Sequence, residues 1–101
     1  MEKVNIDLNL EQMLVSAVRY AIGRRTYIVQ ATVDYIICIL PKLSLWCVNV
    51  IRESIVEEIE LAERLNKPEM LGAEIDRKQW GRMMTALDAE LEGRKNHEDR
   101  C

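Results

Sequence analysis

The segment TYIVQATVDYIICIL, residues 26–40, constrains the fold more than any other part of the sequence, and Pro41 ends it. Its polar residues Tyr27, Gln30 and Asp34 are spaced i, i+3 and i+7, which places them on one stripe of a helix and not on alternating sides of a strand. Apolar side chains cover the rest of the circumference, and such a helix must be covered on nearly every side. The segment therefore predicts a helical bundle in which neighbouring helices and a second copy of the chain surround it.

Three further helices are predicted from apolar residues that recur at the helical period and from residues that favour helix ends. They span about residues 10–22, 45–65 and 76–93. Ser44 is predicted to cap the third helix, and Asp76 opens a capping box for the fourth. Gly23 and Gly93 are expected to end the first and the fourth. The sequence thus predicts an all-α fold, a compact bundle of about four helices completed by homo-oligomerisation.

The buried faces of two of these helices follow from the same period. The stripe predicted for the first helix consists of Leu10, Met13, Leu14, Ala17, Val18 and Ala21. The stripe predicted for the third consists of Val48, Ile51, Ile55, Ile59 and Ala62. The opposite face of the third helix is expected to be solvated and acidic, because it carries Arg52, Glu53, Glu57, Glu60 and Glu63.

The length of the chain, 101 residues, leaves room for one hydrophobic core, so residues 1–93 are predicted to form a single helical domain. Residues 94–101 are charged and offer no apolar anchor, and they are predicted to be a disordered tail. The net charge of −3 divides unevenly: residues 1–52 have six Lys/Arg and four Asp/Glu, and residues 53–101 have eight and thirteen. An acidic second half argues against extended non-specific binding to nucleic acid but is compatible with a local phosphate site.

Residues suited to catalysis or metal binding are scarce. The single histidine, His97, falls in the predicted tail, so no general base is held beside a nucleophile. The glutamates of the third helix lack a Glu-x-x-His partner, and no phosphate-binding glycine loop or zinc-type cysteine spacing occurs. The chain is therefore expected not to be an enzyme and to need no metal or cofactor.

The cysteines and the apolar stretch bear on the compartment. Cys38 and Cys47 lie within apolar helical patterns and are expected to be reduced core thiols, with a disulfide between them as the alternative. The N-terminal residues show no secretory signal pattern. Pro41 and Lys42 divide the apolar stretch into pieces too short to span a bilayer. The expected location is the cytoplasm of the host cell, without membrane contact.

The stretch RYAIGRRTYI, residues 19–28, joins the first two helices and contains three arginines and two tyrosines. The start of a helix attracts anions, arginine offers a fork of donors that matches phosphate, and a tyrosine ring can stack on a base. Two polar residues of the second helix continue the stripe that leads away from this bend. The candidate ligand-binding residues are therefore Arg19, Tyr20, Arg24, Arg25, Thr26, Tyr27, Gln30 and Asp34.

A purely structural interpretation of the same residues stays open. Arg24 and Arg25 follow the C-terminus of the first helix, where cations are stabilising, and they can pair with acidic residues of the third helix. Arg19 is then a solvated surface residue. On this interpretation the stretch is an ordinary corner between two helices.

The run SAVRYAIGRRTY, residues 16–27, together with residues 43–44 and the helix start at residues 76–80, resembles small, mostly uncharacterised helical proteins of bacteriophages and prophages. The resemblance covers about residues 15–91. No activity is attached to that group, so the resemblance assigns no binding residue. It implies a context, because small helical phage proteins often act against host defence, either by blocking a defence protein or by sequestering a nucleotide signal.

Three functions are compatible with these features. The first, which we expect, is a non-enzymatic, homo-oligomeric anti-defence protein that binds a phosphate-bearing small ligand, such as a cyclic nucleotide signal, and sequesters it. The second is an inhibitor of a host defence effector, in which Glu53, Glu57 and Glu60 imitate the charge of nucleic acid and meet a basic partner surface. The third is a small DNA-associated regulatory phage protein that uses the same arginines on phosphates.

Overall fold

Four α-helices and no strand make up the regular structure of residues 8–24 and 26–100, the part of the chain that this computed structural model describes; for Thr26 and residues 96–100 it describes the backbone only. The helices are α1 (Leu8–Ala21), α2 (Thr26–Ile39), α3 (Leu45–Arg64) and α4 (Glu74–Arg100), with 3₁₀ turns at Leu40–Lys42 and Pro68–Leu71. The predicted all-helical fold is confirmed. Within the described residues, no helix is both long enough and apolar enough to cross a membrane.

The core lies where the four helices meet. Each helix packs on two others, because α1 contacts α2 and α3, and α4 also contacts α2 and α3. All four contribute side chains with no exposed surface, among them Val18, Val33, Val48, Ile51, Met83 and Leu87. Burying one such side chain contributes about 1.5–3 kcal/mol. The nearly uniform apolar character of α2 is thus explained in part by its position between α1 and α4.

Ser44 caps α3 as predicted, and its Oγ accepts a hydrogen bond from the backbone N–H of Cys47 at 3.1 Å. The buried carboxylate of Glu11 on α1 accepts the Ser44 N–H at 2.7 Å and the Ser44 hydroxyl at 2.8 Å. In a capping box, the acceptor for the cap N–H is a Glu or Gln three residues further along the same helix. Cys47 occupies that position here, so Glu11 supplies the acceptor from another helix.

The same contact affects the Cys47 thiol. Burial, and to a smaller extent the charge of Glu11, raise the pKa of Cys47 from 9.0 to about 11. The expected reduced core thiol is therefore confirmed for Cys47, which is free, buried and protonated at neutral pH.

Arg94 on α4 holds the other side of the turn that precedes α3. Its Nη2 donates to the carbonyl oxygens of Leu40 at 3.2 Å and Leu43 at 2.6 Å, and its Nε donates to the carboxylate of Glu90 at 2.6 Å. Carbonyl groups at the end of a helix lack intrahelical donors. Pro41 stops α2 as predicted, and Arg94 supplies donors for the turn that follows.

The predicted start of α4 is wrong. The helix begins at Glu74, because Gly72, with a φ of +91°, turns the chain before it and the carbonyl of Ala73 accepts hydrogen bonds from the N–H groups of Asp76 and Arg77. Asp76 is therefore buried within the first helical turn, two residues after the helix start, and does not occupy the predicted N-cap position.

The predicted end of α4 at Gly93 is also wrong, because the helix continues to Arg100. A glycine within a helix costs only about 1 kcal/mol relative to alanine. The hydrogen bonds of Arg94 to the turn after α2 stabilise the helix at this point, so Arg94 belongs to the packed domain. The side chains of residues 96–100, and residue 101, lie outside the described part of the chain, and a disordered tail there stays a prediction.

Three residues that were predicted to be buried are exposed, namely Met13 and Ala17 on α1 and Cys38 on α2. Met13 is 67% exposed, and Cys38 is an exposed free thiol. On α1 the buried face is rotated towards α3, so that Glu11 and Val15 are buried in place of Met13. Leu14 on the same helix is buried as predicted.

Replacing Glu11 by alanine is expected to destabilise the protein by about 2–3 kcal/mol, because two hydrogen bonds to a buried carboxylate are lost. Glu11→Gln retains one acceptor oxygen and should cost about half as much. Urea denaturation measures both values. Gln12→Ala, on the exposed side of the same helix, is the control and should change the free energy of unfolding by less than about 0.5 kcal/mol. Equal effects at positions 11 and 12 would contradict the capping role.

Candidate ligand site at the bend between α1 and α2

The bend between α1 and α2 depends on Gly23, whose φ of +80° is the left-handed conformation predicted for a glycine that ends a helix. The N–H of Arg24 donates to the carbonyl of Ala21 at 3.0 Å and closes the last turn of α1. A Cβ atom on Gly23 would lie 2.8 Å from the carbonyl oxygen of Met70. The bend is therefore packed directly against the segment that leads into α4.

An open cleft of about 620 Å³ lies between this bend and the start of α4. One wall comes from the bend and the other from the residues around the start of α4. The lining consists of Tyr20, Gly23, Arg24, Tyr27 and Ile28 from the first part, and Gly72, Ala73 and Asp76 from the second. Small-molecule pockets are typically about 300–1,000 Å³, so the cleft has room for a ligand the size of a nucleotide.

The side chain of Arg24 is held in place by Tyr20, one helical turn earlier. Its Nε donates to the Tyr20 carbonyl oxygen at 3.1 Å, and its guanidinium carbon lies 4.5 Å from the centre of the Tyr20 ring. A cation at this distance over an aromatic face is attracted by the ring. No described residue accepts a hydrogen bond from the terminal Nη atoms of Arg24. The cleft therefore contains an oriented guanidinium group whose terminal N–H groups can donate to a ligand.

The N-terminus of α4 forms part of the second wall. The first N–H groups of a helix lack intrahelical acceptors, and they give this end of the helix a partial positive charge. The buried carboxylate of Asp76 belongs to the same wall, and a Cβ atom on Gly72 would lie 3.0 Å from its Oδ2. A cation and a helix start suit an anionic group, and the buried carboxylate in the same wall disfavours a ligand that is only an anion.

The structure brings together three of the eight predicted site residues, because Tyr20, Arg24 and Tyr27 all line the cleft. Arg19 points to α3 instead, where its Nε donates to the Ser54 hydroxyl at 3.1 Å. It therefore makes a helix–helix contact, while the residue as a whole is exposed as the structural interpretation expects.

The two polar residues further along α2 do not line the cleft. Asp34 forms an ion pair with Arg82 of α4, and Gln30 is exposed. Arg25 and the side chain of Thr26 lie outside the described residues, so their predicted roles remain predictions.

The cleft residues outside the predicted set are Gly23 and Ile28 on the bend side and Gly72, Ala73 and Asp76 on the α4 side. Gly72 and Ala73 fall between the helices predicted at residues 45–65 and 76–93, and Asp76 is predicted to open a capping box. A glycine just before a helix is a signal for a positive φ and for close approach of the chain. It does not say which distant segment will lie beside it, so the second wall could not be found by that signal alone.

No protein-family model matches the chain, and no curated protein or solved structure is significantly similar to it. A search of the described residues finds no group of three or more His, Cys, Asp or Glu side chains placed to hold a metal ion. The chemistry of the cleft and the sequence resemblance are therefore the grounds for a functional proposal.

Gly23→Ala is expected to destabilise the protein by about 2–4 kcal/mol, because alanine is disfavoured at a positive φ and its Cβ would collide with the Met70 carbonyl. The matched control is Gly93→Ala, since a Cβ added at Gly93 in the middle of α4 meets nothing within 4 Å. This control should stabilise by about 0.5–1 kcal/mol. Thermal and urea denaturation measure the stability of both variants. An equal change in the free energy of unfolding would contradict the described bend.

Proposed function

We propose that this protein binds a phosphate-bearing small molecule in the cleft between the bend and the start of α4, and that it sequesters this ligand without chemical change. The observation that carries the proposal is the position of Arg24, which is fixed over Tyr20 in the same cleft as the N-terminus of α4. Both groups favour an anion, and arginine binds phosphate through two parallel hydrogen bonds.

The other residues of the cleft favour a nucleotide over inorganic phosphate. The ring of Tyr27 is 67% exposed in the lining and offers a surface on which a base can stack. The buried carboxylate of Asp76 adds a negative charge to the wall, which is unfavourable for a bare anion. A nucleotide combines a phosphate group, which suits Arg24, with a base that can stack on Tyr27. A cyclic nucleotide signal is one member of this class.

Binding without catalysis is proposed because, among the described residues that line the cleft, there is no histidine, cysteine or serine to form a nucleophile–base pair. The sequence resemblance to phage and prophage proteins supports a role in the cytoplasm of an infected host cell. Removal of a nucleotide signal there would counter a host defence system. The proposed activity is thus anti-defence by sequestration.

Isothermal titration with a panel of inorganic phosphate and mono-, di- and cyclic nucleotides tests this function. At least one nucleotide is expected to bind more tightly than phosphate. Arg24→Glu should weaken that binding by about 10-fold to 100-fold, because a charge-assisted hydrogen bond contributes about 1.5–3 kcal/mol. Arg24→Lys should have a smaller effect, since it keeps the charge and loses the fork of donors.

The matched control is Lys42→Glu, an equal change in charge at an exposed site at the far end of α2. It should leave the affinity within about twofold, because surface charges separated by more than a Debye length are screened. Absence of binding by every nucleotide up to millimolar concentration, or wild-type affinity in Arg24→Glu, would remove the proposal.

The exposed face of α3 favours a second candidate function. Glu53, Glu57 and Glu60 are exposed at helical spacing, and none of the ion pairs between described residues involves them. A row of carboxylates of this kind resembles nucleic acid in charge and complements a basic surface. The second candidate is therefore an inhibitor that occupies the basic groove of a host defence nuclease.

Competition for DNA tests the second candidate. The wild type is expected to displace labelled DNA from such a nuclease, and the variant with lysine at positions 53, 57 and 60 should not, because the attraction becomes repulsion. Fluorescence anisotropy measures the displacement. Glu92→Lys, on the exposed part of α4, is a control for a single added charge. Equal displacement by the wild type and the triple variant would exclude the acidic face as the inhibitory surface.

A further inference from the structure

Helices α1 and α2 carry very few charges, and all of them are directed to other helices. The 14 residues of α1 include Glu11 and Arg19, and the 14 residues of α2 include only Asp34, whereas 31% of the whole chain is charged. Glu11 bonds to Ser44, Arg19 to Ser54 and Asp34 to Arg82. The outer surface of the two helices therefore carries few charges: Arg19 and Asp34 are exposed but bonded to α3 and α4, and Arg24 lies over the Tyr20 ring at one end.

That outer surface is rich in exposed tyrosine, methionine and small side chains. We call it the α1–α2 face, and it consists of Met13, Ser16, Ala17 and Tyr20 on α1 and Tyr27, Ala31, Tyr35 and Cys38 on α2, all exposed. Each set recurs at three- or four-residue intervals, which gives one stripe per helix. Interfaces between proteins are enriched in tyrosine and methionine and depleted of charge at their centres. The α1–α2 face has this composition.

A shallow apolar depression of about 230 Å³ lies at the centre of the face. Its walls are formed by both helices, with Ala17 and Ala31 on either side and Tyr35 at one edge. The small alanine side chains leave the space, and a large side chain from another molecule can fill it. Such knob-into-depression packing is typical of helix–helix interfaces.

We propose that the α1–α2 face is the surface on which a second copy of this chain binds, forming a two-fold symmetric dimer. In such a dimer each residue near the axis meets its own copy, so any charge there would repel itself. The chain has a net charge of −3, and two copies repel over most of their surfaces. A face with few charges is where two identical acidic molecules can meet, whereas a foreign partner is usually selected by complementary charge.

The large exposed side chains of the face supply a substantial part of the area that a stable dimer buries. Its three tyrosines are 49–67% exposed and Met13 is 67% exposed. Together these four side chains present about 500 Å² to solvent, of the roughly 800 Å² per partner that a standard interface buries. The smaller exposed residues between them supply the remainder over the length of two helices.

Sedimentation analysis of the full chain tests the dimer. The wild type is expected to associate to twice the 11.8 kDa of one chain between about 1 and 100 µM, where interfaces of this area commonly associate. Ala31→Glu should weaken association by more than about 100-fold, because each symmetric dimer would bury two unpaired carboxylates. Ala17→Glu, on the other helix, should have the same effect, and circular dichroism should show that both variants remain helical.

Ala89→Glu is the matched control, since it places the same side chain at an exposed alanine of α4 and should leave association unchanged. A wild type that stays monomeric throughout, or a dimer that both face variants leave within about twofold, overturns the proposal. Tyr20 and Tyr27 belong to both the face and the cleft, but Ala17 and Ala31 do not line the cleft, so the outcomes of the two tests can be told apart. Nucleotide binding by a monomeric Ala31→Glu variant would leave the proposed function intact.

Discussion

The turn at residues 40–44 is the point on which the arrangement of the four helices depends. The carboxylate of Glu11 holds it from α1, through the N–H and hydroxyl of Ser44, and the guanidinium of Arg94 holds it from α4, through the carbonyl groups of Leu40 and Leu43. Opposite charges thus satisfy the donors that start α3 and the acceptors that follow α2. This short segment thereby fixes where α2 ends and where α3 begins, and it connects both of them to α1 and α4.

Because the charged residues of α1 and α2 bond to other parts of the bundle, the outer face of these two helices is mostly apolar or uncharged. The charged groups contact α3, α4 and the turn, and the outer face, which carries few charges, is the face proposed for self-association. At the opposite end of the pair, Gly23 brings the bend against the segment before α4, and the guanidinium of Arg24 lies in an open cleft. The proposed ligand site and the proposed dimer face therefore adjoin each other and share Tyr20 and Tyr27.

Local backbone chemistry made much of this fold predictable from the sequence. Gly23 and Pro41 end helices because each imposes a conformation on its own backbone, and both predictions are confirmed. The burial of Glu11 was not predictable in this way, because its partner Ser44 is 33 residues further along the chain. The same limit applies to the cleft: one wall belongs to the bend, whose residues attracted attention by their chemistry, and the other belongs to residues 72–76, which come near it only after α3 has crossed the bundle.

The central claim is that the bend and the start of α4 form one ligand site. Backbone amide NMR spectra recorded during titration with the tightest-binding nucleotide test it most directly, because the amide signals of Gly23 and Gly72 report on the two walls independently. The account predicts that both signals shift with the same saturation curve, together with those of Arg24 and Ala73. Shifts confined to one wall, or to the acidic face of α3, would contradict it.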